Sequence, residues 1–295
     1  MFISPETSTV GFIGLGVMGK SMAEHILQAG YRLHVYTRTQ EKAHELLAKG
    51  AIWQPSPQQI AENCDVIITM VGYPHDVEQI YLSENGLVYH AKQGTYLIDM
   101  TTSSPQLASR INEESKKAKL HSLDAPVSGG DIGAKNASLS IMVGGEQAAY
   151  ESILPLLQIV GKTIVYQGKS GAGQHTKVCN QIAIASTMIG VSEALAYAKA
   201  ANLQPETVLQ SIATGAAGSW SLSNLGSRMI QNDFEAGFYI KHFIKDMGIA
   251  LQSANEMNLQ TPGLALAEQI YKQLAELGYN EQGTQAIYLY YTEHQ

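Results

Sequence analysis

The chain has 295 residues, room for one large unit or two domains. Hydrophobic residues make up 45% and charged residues 15%, enough apolar material for a sizeable core and too little charge for a disordered chain. A net charge of -7 argues against nucleic acid or an anionic membrane surface as the main partner. The two cysteines, Cys64 and Cys179, are too few for a disulfide scaffold or a cysteine-rich zinc site, which points to a reducing, cytoplasmic setting.

The opening MFISPETSTV has neither the basic nor the apolar region of a signal peptide. From Thr9 onward, β-branched runs alternate with helical stretches, the βαβ pattern of a parallel sheet covered on both faces. Strands are predicted at Thr9–Ile13, Arg32–Tyr36, Val66–Met70, Tyr96–Asp99, Ser122–Ala125, Ser140–Val143 and Ile164–Tyr166. After the first strand comes Gly14-Leu15-Gly16-Val17-Met18-Gly19, a Gly-x-Gly-x-x-Gly turn. Met18, Met22 and Ile26 then recur at helical spacing, with Gly30 as a stop. In that context the turn predicts a dinucleotide site, where bare backbone admits a pyrophosphate to a helix N-terminus.

The second strand ends Thr37-Arg38-Thr39, without the acid that holds a ribose 2'-hydroxyl in NAD-binding versions of this motif. Arg38 offers a planar fork to a 2'-phosphate and the two threonines offer neutral donors, so NADP is expected, with NAD still possible. Met70-Val71 and Thr101-Thr102 follow later strands and should border the same crevice, because ligands of open α/β sheets bind beyond the carboxyl ends of the strands. Ser104-Pro105 opens a crossover helix over 103–119. Then Asp124-Ala125-Pro126-Val127-Ser128-Gly129-Gly130 gives a strand end, a rigid bend and two glycines. The Ser128 hydroxyl with the Gly129 and Gly130 amides would form a nest for a carboxylate, although a plain glycine turn has the same composition.

Beyond the turn at 168–171 strand-like runs cease. The expectation is a Rossmann-type α/β domain over 1–170 and an all-helical domain over 171–295, opened by a long interdomain helix at about 174–201. Later helices begin at Pro205-Glu206 and Pro262, with stops at Gly215, Asn258 and Gly278. Lys177, near the start of the long apolar helix, is costly to bury without a purpose. Its ammonium can protonate a carbonyl oxygen under reduction, and its neutral form can accept a proton from an alcohol, while Asn180 could orient the same oxygen. An interdomain ion pair is the competing reading. The nine histidines show no metal-ligand spacing, so no metal is expected.

The glycine turn at 14–19, DAPVSGG at 124–130, the glycine-lysine-asparagine segment at 171–180 and Lys245-Asp246 occur in the order found in the β-hydroxyacid dehydrogenase family. The chain resembles that family, which includes 3-hydroxyisobutyrate dehydrogenase and the tartronate and glyoxylate/succinic semialdehyde reductases, over nearly its whole length. The resemblance implies hydride transfer between a nicotinamide cofactor and a small β-hydroxy acid or its semialdehyde. It makes Lys177 the catalytic lysine, Ser128, Gly129 and Gly130 the carboxylate site, and Asn180 the oxygen-positioning residue. Thr102 and Lys245 become contacts beside the nicotinamide, Phe238 the aromatic substrate contact, and the enzyme a homodimer or homotetramer. Val71-Gly72-Tyr73-Pro74-His75 departs from the Leu-Pro pair usual in the family. An imine reductase on the same architecture, or a non-catalytic NADPH sensor, are the alternatives.

Overall fold

A computed structural model describes residues 3–293. Among them the chain forms two compact units, the first ending at Lys177 and the second beginning at Val178. The first contains nine strands in one sheet: β1 (Thr9–Ile13), β2 (Arg32–Tyr36), β3 (Ile52–Trp53), β4 (Val66–Thr69), β5 (Tyr96–Asp99), β6 (His121–Asp124), β7 (Val127–Ser128), β8 (Leu139–Gly145) and β9 (Gly161–Gly168). Strand order is β3-β2-β1-β4-β5-β6-β8-β7, with β9 paired to β8. Neighbours from β3 to β6 run parallel, whereas β8 is antiparallel to β6 and β7. The order reverses at β1, which has β2 on one side and β4 on the other, so the dinucleotide crevice belongs at the carboxyl ends of β1 and β4.

Helices cover both faces: α1 (Val17–Gln28), α2 (His44–Ala48), α3 (Pro57–Asn63), α4 (Pro74–Leu82), α5 (Leu87–His90), α6 (Pro105–Lys117), α7 (Gly130–Lys135) and α8 (Gln147–Leu157). One apolar layer gathers Phe12, Met22, Ile26, Leu46, Ile153 and Leu156; the other gathers Ile60, Ile67, Val77, Tyr81, Leu97 and Ile111. Alternate residues of each central strand feed the two layers, which is why β4 and β5 are apolar almost throughout and buried at every position. The α1 stripe works as its spacing predicts, with Met22 and Ile26 fully buried and Gly30 turning the chain at positive φ. Ser56 and Ser104 cap α3 and α6 by accepting hydrogen bonds from the Gln59 and Leu107 amides.

Three strand features depart from the sequence reading. β3 and β7 have two residues each, too short for an alternating pattern to register, and Val127-Ser128, read as part of a bend, pairs with Ile141 and Ser140. β9 extends well beyond Ile164–Tyr166, because its Lys162, Thr163 and Gln167 are polar edge positions that hide the strand pattern.

Helix α9 (Ala172–Ala200) starts in the first unit and is followed by α10 (Pro205–Ile212), α11 (Trp220–Ile230), α12 (Ile240–Glu256), α13 (Pro262–Glu276) and α14 (Ile287–Thr292). Met188, Leu195, Phe243, Met247, Tyr271 and Ile287 form the core of the second unit. The Tyr271 hydroxyl is buried there and donates to the Thr284 carbonyl at 2.8 Å. By length and composition alone α9 could cross a membrane, with mean hydropathy 1.2 over its most apolar window. Hydrogen bonds instead tie its first turn to the ends of β5 and β6.

Candidate active site

The glycine turn meets three separate demands. Gly14 has φ +98, and a Cβ there would strike the Met70 carbonyl. A Cβ on Gly19 would strike the Gly14 carbonyl, so that glycine lets α1 lie against the turn. Around Gly16 nothing lies within 4 Å of the Cβ position, which leaves open space over bare backbone. Gly16 is also the N-cap of α1, no side chain caps that end, and the first turn contains no acid. Unspent amides, helix dipole and open approach therefore coincide, and the turn fits a dinucleotide pyrophosphate. Leu15 is buried, Met18 half-buried and Val17 exposed, so Val17 is the side chain of the turn free to meet a ligand.

Across the end of β2, Thr37 is half-buried and Arg38 and Thr39 are exposed. One Arg38 N–H donates at 3.2 Å to Asp76, a buried carboxylate in the first turn of α4. Met70 and Val71 line the end of β4 as half-buried residues. The Val71 amide donates to the Thr101 hydroxyl at 3.0 Å, and Thr101 is buried, whereas Thr102 is half-buried. Beneath them the Asp99 carboxylate accepts from the Thr69 hydroxyl at 2.8 Å and the Thr101 amide at 3.1 Å. Burial pushes Asp99 up to about 6 despite these donors. This network locks the β4 and β5 ends to each other.

At the end of β6, Asp124 turns its carboxylate to the start of α9. It accepts from the Gly171 amide at 2.7 Å and the Gln174 amide at 2.9 Å, and burial raises it to about 6 as well. The Gln174 side chain completes the joint, accepting from the Ser103 amide at 2.9 Å and donating to the Thr101 carbonyl at 2.8 Å. A Cβ on Gly173 would lie 2.5 Å from the Asp124 carbonyl oxygen, so only glycine allows the helix this close to the strand ends. One turn later Lys177 is buried, with 7% of its surface exposed. Four residues beyond Asp124, Ser128 ends β7, and Gly129 and Gly130 follow with φ +129 and +64, backbone that favours glycine.

In the second unit a side-chain relay links α9 to α12. Asn180 donates to the Gln181 side-chain oxygen Oε1 at 2.7 Å, and Gln181 donates from Nε2 to Asp246 at 2.6 Å. Lys245 approaches the other Asp246 oxygen at 2.8 Å. Phe238 is half-buried just before α12, with its ring 5.7 Å from that of Phe243. Among the described residues no group of three His, Cys, Asp or Glu side chains has metal-binding geometry.

Sequence reasoning passed over Asp76 and the structural roles of Asp124, Gln174 and Gln181. A buried-looking Gln on an apolar helix was the available signal for Gln174 and Gln181, whereas Asp76 carried none.

A doubly wound sheet with an open glycine turn, joined to a helical unit through a helix bearing a buried lysine, defines a dinucleotide-dependent oxidoreductase. Residues 9–168 match the NAD binding domain of 6-phosphogluconate dehydrogenase, and residues 171–291 match the NAD-binding domain of NADP-dependent 3-hydroxyisobutyrate dehydrogenase. The chain is 61% identical to the uncharacterized oxidoreductase YkwC of Bacillus subtilis, over 95% of this chain and 97% of that one. It is 40% identical to the 2-hydroxy-3-oxopropionate reductase of Escherichia coli, over 91% and 92% of the two chains. Among solved structures, a Mycobacterium tuberculosis 3-hydroxyisobutyrate dehydrogenase with L-serine superposes with a TM-score of 0.88 at 27% identity, covering 95% of this chain and 98% of that one. The chain belongs to the β-hydroxyacid dehydrogenase family of NAD(P)-dependent oxidoreductases.

Proposed function

We propose that this enzyme prefers NADP and interconverts a small β-hydroxy acid with its semialdehyde, using Lys177 as the proton donor and acceptor. The observation that carries the reading is the buried Lys177 side chain, one helical turn beyond a start fixed by Asp124 and Gln174. When bound, the nicotinamide cofactor supplies or takes the hydride. Lys177 delivers a proton to the carbonyl oxygen in reduction and removes it from the hydroxyl in oxidation, and the backbone anchored at the start of its helix supports a fixed position for it. Asn180, three positions further along the same helix, orients that oxygen. Ser128 with the amides of Gly129 and Gly130 holds the substrate carboxylate, consistent with the L-serine of the mycobacterial relative and the 2-hydroxy-3-oxopropionate named for the bacterial one. Thr102 and Lys245 are assigned to the cofactor and Phe238 to the substrate.

Arg38 supports NADP over NAD, because its exposed guanidinium has donors left after one N–H meets Asp76. Initial rates with tartronate semialdehyde, succinic semialdehyde, glyoxylate, 3-hydroxyisobutyrate, serine and a cyclic imine, each with both cofactors, test the reading. Turnover of semialdehydes with NADPH is the expected result, and turnover confined to the imine would overturn it.

A further inference from the structure

An ion pair at the dinucleotide end of the sheet joins Arg38, just beyond β2, to Asp76, in the first turn of the helix that follows β4. β2 and β4 flank β1, so the pair bridges the strand ends on either side of the glycine turn. Its partners differ sharply: the Arg38 side chain is 78% exposed and that of Asp76 only 7%. A charge in a low-dielectric site acts on its neighbours more strongly than a solvated one. Asp76 Oδ1 takes the single Arg38 hydrogen bond, with His75 Nε2 at 3.6 Å, and Oδ2 is buried without a hydrogen-bond partner. The hydrogen bond to Oδ1 therefore draws on the same guanidinium that a 2'-phosphate would use.

We propose that Asp76 is a specificity-determining residue, a buried counter-charge that competes with the cofactor 2'-phosphate for the Arg38 guanidinium and keeps the preference for NADP over NAD shallow. This rests on the reading of Arg38 as the 2'-phosphate contact. A 2'-hydroxyl makes no comparable demand on the guanidinium, so the competition bears on NADPH and leaves NADH nearly unaffected. The arrangement gives an enzyme that draws on both pools, with its ratio set by a residue outside the β2 end where cofactor choice is ordinarily encoded.

The test is the dissociation constant of NADPH and of NADH, measured by fluorescence titration at about pH 8, where an ordinary histidine is neutral. Asp76→Asn preserves the shape and removes the charge. It should tighten NADPH by roughly threefold to tenfold and change NADH by less than about twofold. Asp76→Ser, a smaller uncharged replacement, should shift the ratio in the same direction, and it stands in if the amide variant fails to fold. Arg38→Ala separates the two readings. If it weakens NADPH selectively while neither Asp76 variant shifts the ratio, the counter-charge is overturned and the Arg38 reading stands. If Arg38→Ala weakens both cofactors equally, both readings fall. Weaker NADPH binding in Asp76→Asn would also overturn the proposal, since it would mean that Asp76 holds Arg38 ready for the phosphate.

Discussion

The sheet unit and the helical unit hold their polar groups by different means. In the first, two carboxylates at paired register positions of β5 and β6, Asp99 and Asp124, accept from the backbone amides of Thr101, Gly171 and Gln174. In the second, Asn180, Gln181, Asp246 and Lys245 form a chain of side chains between two helices. Backbone geometry set by a sheet tolerates change in neighbouring side chains. A side-chain relay fails at whichever link is removed.

The largest effect should come from Lys177, where the fixed start of α9 meets the chemistry. Lys177→Ala is expected to lower kcat by about 10²–10⁴-fold while cofactor affinity measured by titration stays near wild type; retained turnover would end its assignment as the proton shuttle. Next is a pH effect belonging to the sheet unit. Asp99 and Asp124 titrate near 6 in the folded chain against an ordinary 3.8, so folding favours their protonated forms. Stability should be highest below about pH 4 for these two groups and fall by up to about 3 kcal/mol per carboxyl as pH rises through 6. Amide exchange followed separately in β5–β6 and in α12 should show that slope in the strands, and Asp99→Asn should flatten it.

Gly173→Ala should destabilise by about 1–3 kcal/mol, because its methyl group has no space against the Asp124 carbonyl. Gly190→Ala on the same helix meets nothing within 4 Å and should stabilise by up to about 1 kcal/mol. Urea denaturation measures both, and equal effects would remove the distinction between the pinned and the unpinned part of α9. Gln181→Leu falls within a similar or smaller range, about 1–2 kcal/mol, because it withdraws a donor from buried Asp246. It should also raise KM more than it lowers kcat if the relay positions rather than reacts.

Much of this was legible in the sequence, and the division follows the same line. Gly14, Gly16 and Gly19 carry their meaning in local spacing between a strand and a helix, as do Ser128-Gly129-Gly130. Lys177 stood out as a charge in an apolar helix. The partners of Gln174, Asp76 and Gln181 lie 73, 38 and 65 positions away, and no periodicity reports a hydrogen bond made at that distance. β3 and β7 were hidden for a related reason, since two residues paired to a neighbour have no pattern of their own.

The carboxylate of Asp124 has a practical consequence for recombining members of this family. The turn at 168–171 looks like a natural joint, yet a splice there would take Asp124 from one parent and the Gly173 and Gln174 that fit against it from the other. A crossover placed after Lys177 keeps acceptor, glycine and lysine in one inheritance, so where two parents differ at 173 or 174, chimeras cut inside the helix should fold better than those cut at the loop.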